Sequence, residues 1–182
     1  KYIVLILKLF YPNTHKGEDE LDELLQQQVC IILGSNYVLT FLEKGTDFFD
    51  DVNTALRNDV LKIRSRQTDY LFSVLLNSVM GNYISTISSI DDALEDLEEE
   101  LLTITEGYDI GIQIQALRRQ YMLMKKAILP LKEQYVKLLR AENLLIHKVN
   151  RAFFNDVNDH LQFVLQTIEI CRETLSSLVD LY

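Results

Sequence analysis

The sequence predicts an α+β fold: a partial antiparallel sheet of about three strands, covered by helices, then a long helical hairpin and a long C-terminal stalk helix. Three observations predict it. Runs of β-branched and aromatic residues alternate with turn signals in the first third of the chain. Two long stretches of helical periodicity follow. In the last stretch, Arg151–Tyr182, apolar residues recur at spacings of 3 and 4 without a break.

Three runs near the start of the chain are predicted strands. Tyr2–Phe10 ends at a Tyr-Pro-Asn turn signal, and Gln27–Leu33 and Tyr37–Leu42 flank Gly34-Ser35-Asn36, which is typical of a hairpin. Their close succession favours antiparallel pairing. The polar stretch 13–23 is interpreted as a loop. A small apolar sheet of this kind needs helices on at least one face.

Three helices are predicted between the sheet and the terminal stretch. Phe48 to about Lys62 is a short helix, and Asp69–Leu102 is a long one. After a break at 105–109, Gly111–Arg140 is a further helix, which Pro130 is expected to kink. We therefore divide the chain into a β-rich lobe with one short helix (1–66), a helical hairpin (67–147) and a stalk helix (148–182), all within one cytosolic domain.

Composition limits the classes of function. The chain has 182 residues, of which 48% are hydrophobic and 25% charged, which suits one folded domain. A net charge of −9 argues against nucleic-acid binding and suits cations or basic partners.

No run approaches the ~20 apolar residues of a membrane span, and no leader peptide is visible. Cys30 and Cys171 lack metal-ligand spacing, so we expect buried free thiols. Because the chain opens inside a strand and closes inside a heptad pattern, we expect it to be part of a longer protein.

The terminal stretch carries two stripes. An apolar heptad seam, of the coiled-coil type, consists of Phe154, Val157, Leu161, Val164, Ile168, Cys171, Leu175, Leu178 and Tyr182. A polar, mostly acidic stripe on the other side consists of Asp159, Gln162, Gln166, Glu169, Glu173, Ser176 and Asp180. Two interpretations are open. The stripe is either the solvated side of a surface helix, or it surrounds the axis of a symmetric bundle, where rings of carboxylates attract hydrated cations.

The predicted hairpin separates its charges. Seven acids occur within Asp91–Glu100 without a base, and Arg118, Arg119, Lys125 and Lys126 lie across the bend. One interpretation is ion pairing between the two helices, with each exposed pair contributing about 0–1 kcal/mol. The other is that surplus carboxylates attract divalent cations, which prefer clustered oxygen ligands.

No catalytic motif is present, and we predict that the protein is not an enzyme. His15 and His147 are interpreted as solvated or capping residues. His160 follows Asp156 by one helical turn, so the two side chains share a face. They either share a cation or hydrogen-bond each other. As a cation site, the pair would be weak and water-mediated, because Mg²⁺ requires several oxygen ligands.

Several segments together resemble the CorA-type divalent-cation transporters. Leu33–Lys44 is similar to that family's hairpin, and Asp69-Tyr70-Leu71-Phe72 to the start of its long helix. Ile90–Glu100 is similar to its acidic helix, and Leu129–Glu133 to its Trp-Pro-Leu-Arg-Glu box. Phe154–His160 resembles its Phe-Arg-Asp-Val-Tyr-Asp-His stretch. The end of the chain, Leu-Val-Asp-Leu-Tyr, resembles the end of its cytosolic stalk.

The resemblance implies a cytosolic domain of a homopentamer, attached to the cell inner membrane by transmembrane helices beyond this sequence. Family members carry Mg²⁺ or a related divalent ion such as Co²⁺, Ni²⁺ or Zn²⁺, and Mg²⁺ weakly bound between neighbouring domains keeps the pore shut. Carried over, Asp156 is an interface metal ligand, with His160 and Asp159 beside it. Asp180 is a carboxylate at the pore neck, and Glu169 and Glu173 line the axis with it.

This sequence departs from the family pattern at several positions. An upstream segment that supplies carboxylates of the neighbouring subunit, both transmembrane helices and the Gly-Met-Asn motif are absent from these residues. Asn77 stands where the family often has Asp, and Gly81-Asn82 replaces a further acidic pair. Our leading hypothesis is the cytosolic regulatory and stalk domain of a CorA-like divalent-cation transporter, which senses internal cations to gate the pore. The alternative is a helical scaffold that oligomerises through its heptad face without a role in ion transport.

Overall fold

The computed structural model describes residues 1–13, 23–103, 108–140 and 144–182. The predicted loop around His15 and most of the predicted helix break at 105–109 lie outside the described residues. The β part is one three-stranded sheet in the order β1 (Ile3–Pro12), β2 (Leu24–Leu33) and β3 (Val38–Leu42). Both neighbouring pairs are antiparallel, so the predicted sheet and its topology are confirmed.

Only one face of this sheet is covered by described residues. Successive side chains of a strand point to opposite faces, and the inner series of apolar residues is buried: Leu5, Leu7, Leu9, Val29, Ile31 and Leu33. On the outer face, Ile6 is 60% exposed and Phe41 is 56% exposed. Cys30 of β2 lies directly between Ile6 of β1 and Phe41 of β3 in the sheet, and it is only partly buried. The expectation of a buried thiol is therefore wrong for Cys30, because its side chain points away from the helices.

Within the described residues, four α-helices follow the sheet. They are α1 (Asp50–Arg57), α2 (Thr68–Thr103), α3 (Tyr108–Arg140) and α4 (Arg151–Leu181). The long helices agree with the sequence prediction within a few residues. The predicted α1 extended too far. The helix ends at Arg57, and the positive φ angles of Asp59, Leu61 and Lys62 are not those of an α-helix. Helix α3 continues through Pro130.

Helix α2 is the centre of the molecule, since it packs against the sheet on one side and against α3 and α4 on the other. One hydrophobic core joins the inner face of the sheet to all three long helices. Asn82 of α2 also binds the edge of β1: its Oδ1 accepts the Phe10 amide at 2.9 Å, and its Nδ2 donates to the Phe10 carbonyl at 2.7 Å. Within the described part of the chain, no helix combines the length and apolar character that a membrane span requires.

Candidate functional site

The apolar seam of α4 is buried against α2 and α3 of the same chain. Eight of its predicted members, from Phe154 to Leu178, are buried, and Tyr182 at the end is exposed. The spacing of 3 and 4 keeps these residues on one side of the helix. The seam therefore orients α4 on its own subunit, and the opposite side of the helix is left to solvent.

The polar stripe lies on this solvent-facing side. Its exposed members are Asp159, Gln166, Glu169, Glu173, Ser176 and Asp180. Two apolar residues are exposed beside them: Phe163 is 47% exposed and Ile170 is 49% exposed. They follow buried seam residues by two positions and are seven residues apart, so they share one line along the helix. This spacing is visible in the sequence but was not recognised there.

A base within the stripe was also missed. Arg172 donates from Nε to Glu169 Oε1 at 2.8 Å, and its guanidinium lies 4.0 Å from Glu173. The hydrogen bond from Arg172 holds the pKa of Glu169 below its usual range, and the pKa of Arg172 is raised by the same contact. Lys125 of α3 also lowers the pKa of Glu169 electrostatically. Glu169 therefore carries its charge next to a cation, whereas Asp180 has no ion-pair partner among the described residues.

Asp156 and His160 are both exposed on α4, near its start. His160 does not bond to Asp156. Its Nδ1 forms a hydrogen bond of 3.0 Å with Oδ1 of Asn77, which lies on α2. The spacing of Asp156 and His160 allowed a shared cation or a bond between them, and the structure instead joins His160 to a neutral amide from another helix.

These residues do not complete a divalent-cation site within one copy of the chain. Among the described residues, no group of three or more His, Cys, Asp or Glu side chains is placed to hold a metal ion. The amide of Asn77 adds an oxygen but no charge, so a Mg²⁺ ion here would need carboxylates from elsewhere. The assignment of Asp156, Asp159 and His160 to a metal site remains a prediction that requires ligands from another copy or from outside residues 1–182.

A buried carboxylate holds the start of α4 in place. Asp69 is fully buried and accepts the His147 amide at 2.8 Å and Asn150 Nδ2 at 2.8 Å. It also accepts the Tyr70 amide at 3.1 Å. The His147 Nδ1 atom lies 3.2 Å from Asp69 Oδ2, without the alignment of a hydrogen bond. These contacts fix the segment before α4 to the first turn of α2. They therefore set the direction of α4, the stalk helix.

The predicted ion pairs of the hairpin are not formed. Among the described residues, no ion pair joins the acids of Asp91–Glu100 to the four bases of α3. Asp91 instead accepts a hydrogen bond from the Cys171 thiol, with 3.7 Å between Sγ and Oδ1. Burial and the nearby Asp91 carboxylate raise the pKa of Cys171 to about 12, so this thiol is protonated at neutral pH.

Comparison with known proteins identifies relatives over the full chain. The family model for a CorA-like Mg²⁺ transporter protein matches residues 1–182. The chain is 35% identical over 181 residues to the cobalt/magnesium transport protein CorA of Thermotoga maritima, covering 100% of this chain and 50% of that protein. It is 24% identical over 158 residues to the putative metal ion transporter YfjQ of Bacillus subtilis, covering 86% and 48%. The chain thus spans about half the length of these relatives.

Solved structures share the fold. The soluble domain of CorA from Methanocaldococcus jannaschii aligns with a TM-score of 0.79 at 20% identity, covering 98% of this chain and 68% of that one. The full-length CmaX protein aligns with a TM-score of 0.77 at 19% identity, covering 98% and 52%. The cytoplasmic domain of ZntB from Vibrio parahaemolyticus aligns with a TM-score of 0.74 at 13% identity, covering 98% and 67%.

Proposed function

The chain belongs to the family of CorA-like Mg²⁺ transporter proteins, and from this premise we propose that it forms the cytosolic regulatory and stalk domain of a divalent metal ion transporter. The ion carried is Mg²⁺ or a related divalent cation such as Co²⁺, Ni²⁺ or Zn²⁺. In this proposal, α4 leads toward the membrane segment of the whole protein, and the domain lies on the cytoplasmic side of the inner membrane. The domain responds to internal cations and controls the pore.

The observation that carries the proposal is the two-sided character of α4. Its apolar seam is buried on its own subunit, and its acidic stripe faces outward over the length of the helix. In a symmetric assembly with α4 nearest the axis, Glu173 and Asp180 of each copy would form rings of carboxylates. Such rings concentrate cations and exclude anions.

Exposed apolar residues support assembly of several copies through the same side of α4. Phe163 and Ile170 lie beside the acidic stripe, and helices that associate in water bury side chains of this kind. We propose a homo-oligomer, and a pentamer in the whole protein. The alternative scaffold that oligomerises through the heptad seam has no free surface for it, because the seam is buried within the chain.

We assign Asp156 a share in a cation site between copies. It is an exposed carboxylate one helical turn from His160, and it needs further ligands from a neighbouring copy to hold a hard cation. Such a shared site links neighbouring domains while it is occupied, and the domains are released when the internal cation concentration falls.

The test uses the whole protein in liposomes with a fluorescent indicator for Mg²⁺. Asp156→Ala is expected to raise the Mg²⁺ concentration that half-inhibits flux, on the side of this domain, by about tenfold. Asp51→Ala is the control, since it removes an exposed carboxylate of α1 with the same charge change. Inhibition by internal Mg²⁺ that is unchanged in Asp156→Ala would exclude the gating role of this residue.

A further inference from the structure

The outward side of α3 presents basic and apolar side chains together. Arg119 and Lys126 are exposed and seven residues apart, so they lie on one side of the helix. Ile112, Met122 and Leu129 are exposed on the same side. We call these five residues the α3 face. The helix is basic, because residues 108–140 contain seven Lys or Arg and two acids.

A complementary surface lies on the neighbouring helix of the same chain. Asp92, Glu95 and Glu99 are exposed on one side of α2, opposite the buried Leu94 and Leu97. We call these three carboxylates the α2 acidic face. Seven acids occur between positions 91 and 100, and no base accompanies them.

The two faces do not neutralise each other within the chain. Among the described residues, ion pairs involve Asp59, Asp69, Glu169 and Glu173 as acids, and no residue of either face takes part in one. The helices are nevertheless close, because the end of α2 and the start of α3 line one cleft of about 760 Å³. Both faces are therefore exposed and without an ion-pair partner among the described residues, so they are available to a partner outside the single chain.

The two faces also lie at the same level of the molecule. Asp92 is eleven residues before the end of α2, and Arg119 is eleven residues after the start of α3. At ~1.5 Å per residue, each is about 16 Å from the shared end of the hairpin. In a ring of identical copies, each copy presents the same level to its neighbour. Arg119 of one copy would therefore lie level with Asp92 of the next.

We infer that the α3 face of one copy docks against the α2 acidic face of a second copy of this chain. The inference rests on the homo-oligomer of the proposed function and adds a second contact to it, on the hairpin rather than on α4. The contact is heterologous, with different surfaces on the two partners, as a closed ring requires. The apolar residues of the α3 face are removed from water, and the charges set the register and exclude misaligned contacts.

Charge reversal in the full-length protein tests the inference. Variant one is Arg119→Glu with Lys126→Glu, and variant two is Asp92→Lys with Glu95→Lys. Each variant is expected to weaken self-association about tenfold, because like charges then face each other. A mixture of the two, carrying different affinity tags, is expected to co-purify and to recover most of the lost affinity, because both contacts between unlike copies are complementary and a ring of five need keep only one contact between like copies.

The control is Lys44→Glu with Lys148→Glu, which alters net charge as variant one does at two exposed lysines away from both faces. It is expected to self-associate normally and, in the mixture, to recover less of variant two than variant one does, because only one of the two contacts between unlike copies is then complementary. Equal recovery of variant two by this control would show non-specific charge attraction and overturn the inference.

Other outcomes separate the inference from the proposed function. If the oligomer forms equally well in both variants, the α3 contact is wrong and the homo-oligomer through α4 stands. If the unchanged protein does not self-associate, both are wrong. If variant one assembles normally but loses binding to phosphatidylglycerol vesicles that the unchanged protein binds, the α3 face meets an anionic lipid surface, and the inference is overturned.

Discussion

Asp69 shows how much one residue contributes to the geometry of this fold. Its carboxylate is fully buried and accepts hydrogen bonds from His147, Asn150 and Tyr70. A buried ionised group is stable only when such donors replace water. These donors come from both ends of the hairpin, so Asp69 joins segments that are about eighty residues apart in sequence.

Asp69→Asn keeps the shape of the side chain but replaces one acceptor oxygen with a donor. The new amide would face the N–H of His147 or of Asn150, and one donor would lose its partner. We expect the free energy of unfolding to fall by about 2 kcal/mol, measured by urea denaturation. Asp51→Asn, at an exposed position of α1, is expected to change it by less than about 0.5 kcal/mol. Equal effects would contradict the structural role of Asp69.

Asn77→Asp tests the chemistry beside His160. The substitution puts a carboxylate about 3.0 Å from the imidazole, where the structure has a neutral amide. A negative oxygen next to His160 and near the start of α4 should tighten binding of Co²⁺ about tenfold, or about 1.4 kcal/mol. Isothermal titration calorimetry on the full-length protein measures this change.

Asn53→Asp is the matched control for this prediction, because it adds the same charge on the exposed side of α1. The control is expected to leave the dissociation constant for Co²⁺ unchanged. If both variants bind equally tightly, general charge rather than the position of Asn77 determines affinity.

At the scale of elements, α2 forms in spite of one residue with low helix propensity. It contains Gly81 in an exposed position, where a Cβ atom would meet nothing within 4 Å. A glycine in a helix interior costs about 1 kcal/mol relative to alanine, since it loses more backbone freedom on folding. Packing of α2 against the sheet and α4 therefore offsets this cost.

Gly81→Ala is expected to raise the free energy of unfolding by about 1 kcal/mol, with a corresponding increase in Tm. Gly111→Ala on α3 is the comparison, because its Cβ atom would lie 2.7 Å from the Tyr182 hydroxyl and displace that side chain. We expect a smaller gain there. Thermal unfolding followed by circular dichroism compares them, and a loss of stability in Gly81→Ala would show an unrecognised contact at this position.

At the scale of the whole molecule, one core joins the sheet to the three long helices. One side of α4 packs in this core, and its other side is exposed. Its seam belongs to that core, and its stripe, with Phe163 and Ile170, is free for other copies. If the heptad seam bound a scaffold partner, Leu161→Asp or Ile168→Asp would abolish partner binding. In the structure, both residues are buried within the chain, so these substitutions act on folding.

Leu161→Asp is expected to destabilise the chain by more than about 3 kcal/mol, because it places a carboxylate in the core without a partner. Phe163→Asp, two residues away and exposed, is expected to keep the Tm within a few degrees and to weaken assembly. Circular dichroism measures the first effect, and light scattering coupled to size exclusion measures the second. If Phe163→Asp unfolds the chain while Leu161→Asp does not, the orientation of α4 is wrong.

Local patterns in the sequence were sufficient to predict the three antiparallel strands, the long helices and the buried side of α4. Alternation and the spacing of 3 and 4 act within one element, so they are visible without knowledge of what packs against it. The family motifs are likewise visible in the sequence without knowledge of the packing. The end of α1 was missed because positive φ angles at Leu61 and Lys62 have no signature in these residue types.

What covers each surface was decided by the tertiary structure alone. His160 meets Asn77 and Asp69 meets Asn150 across about eighty residues of sequence. Among the described residues, the acids and bases of the hairpin form no ion pair with each other. Periodicity determines which side of a helix is apolar, but the packing of three helices around a shared core determines which polar groups come within bonding distance. For this reason, the sequence by itself determined the elements and their buried sides, and only the fold decided the contacts between them.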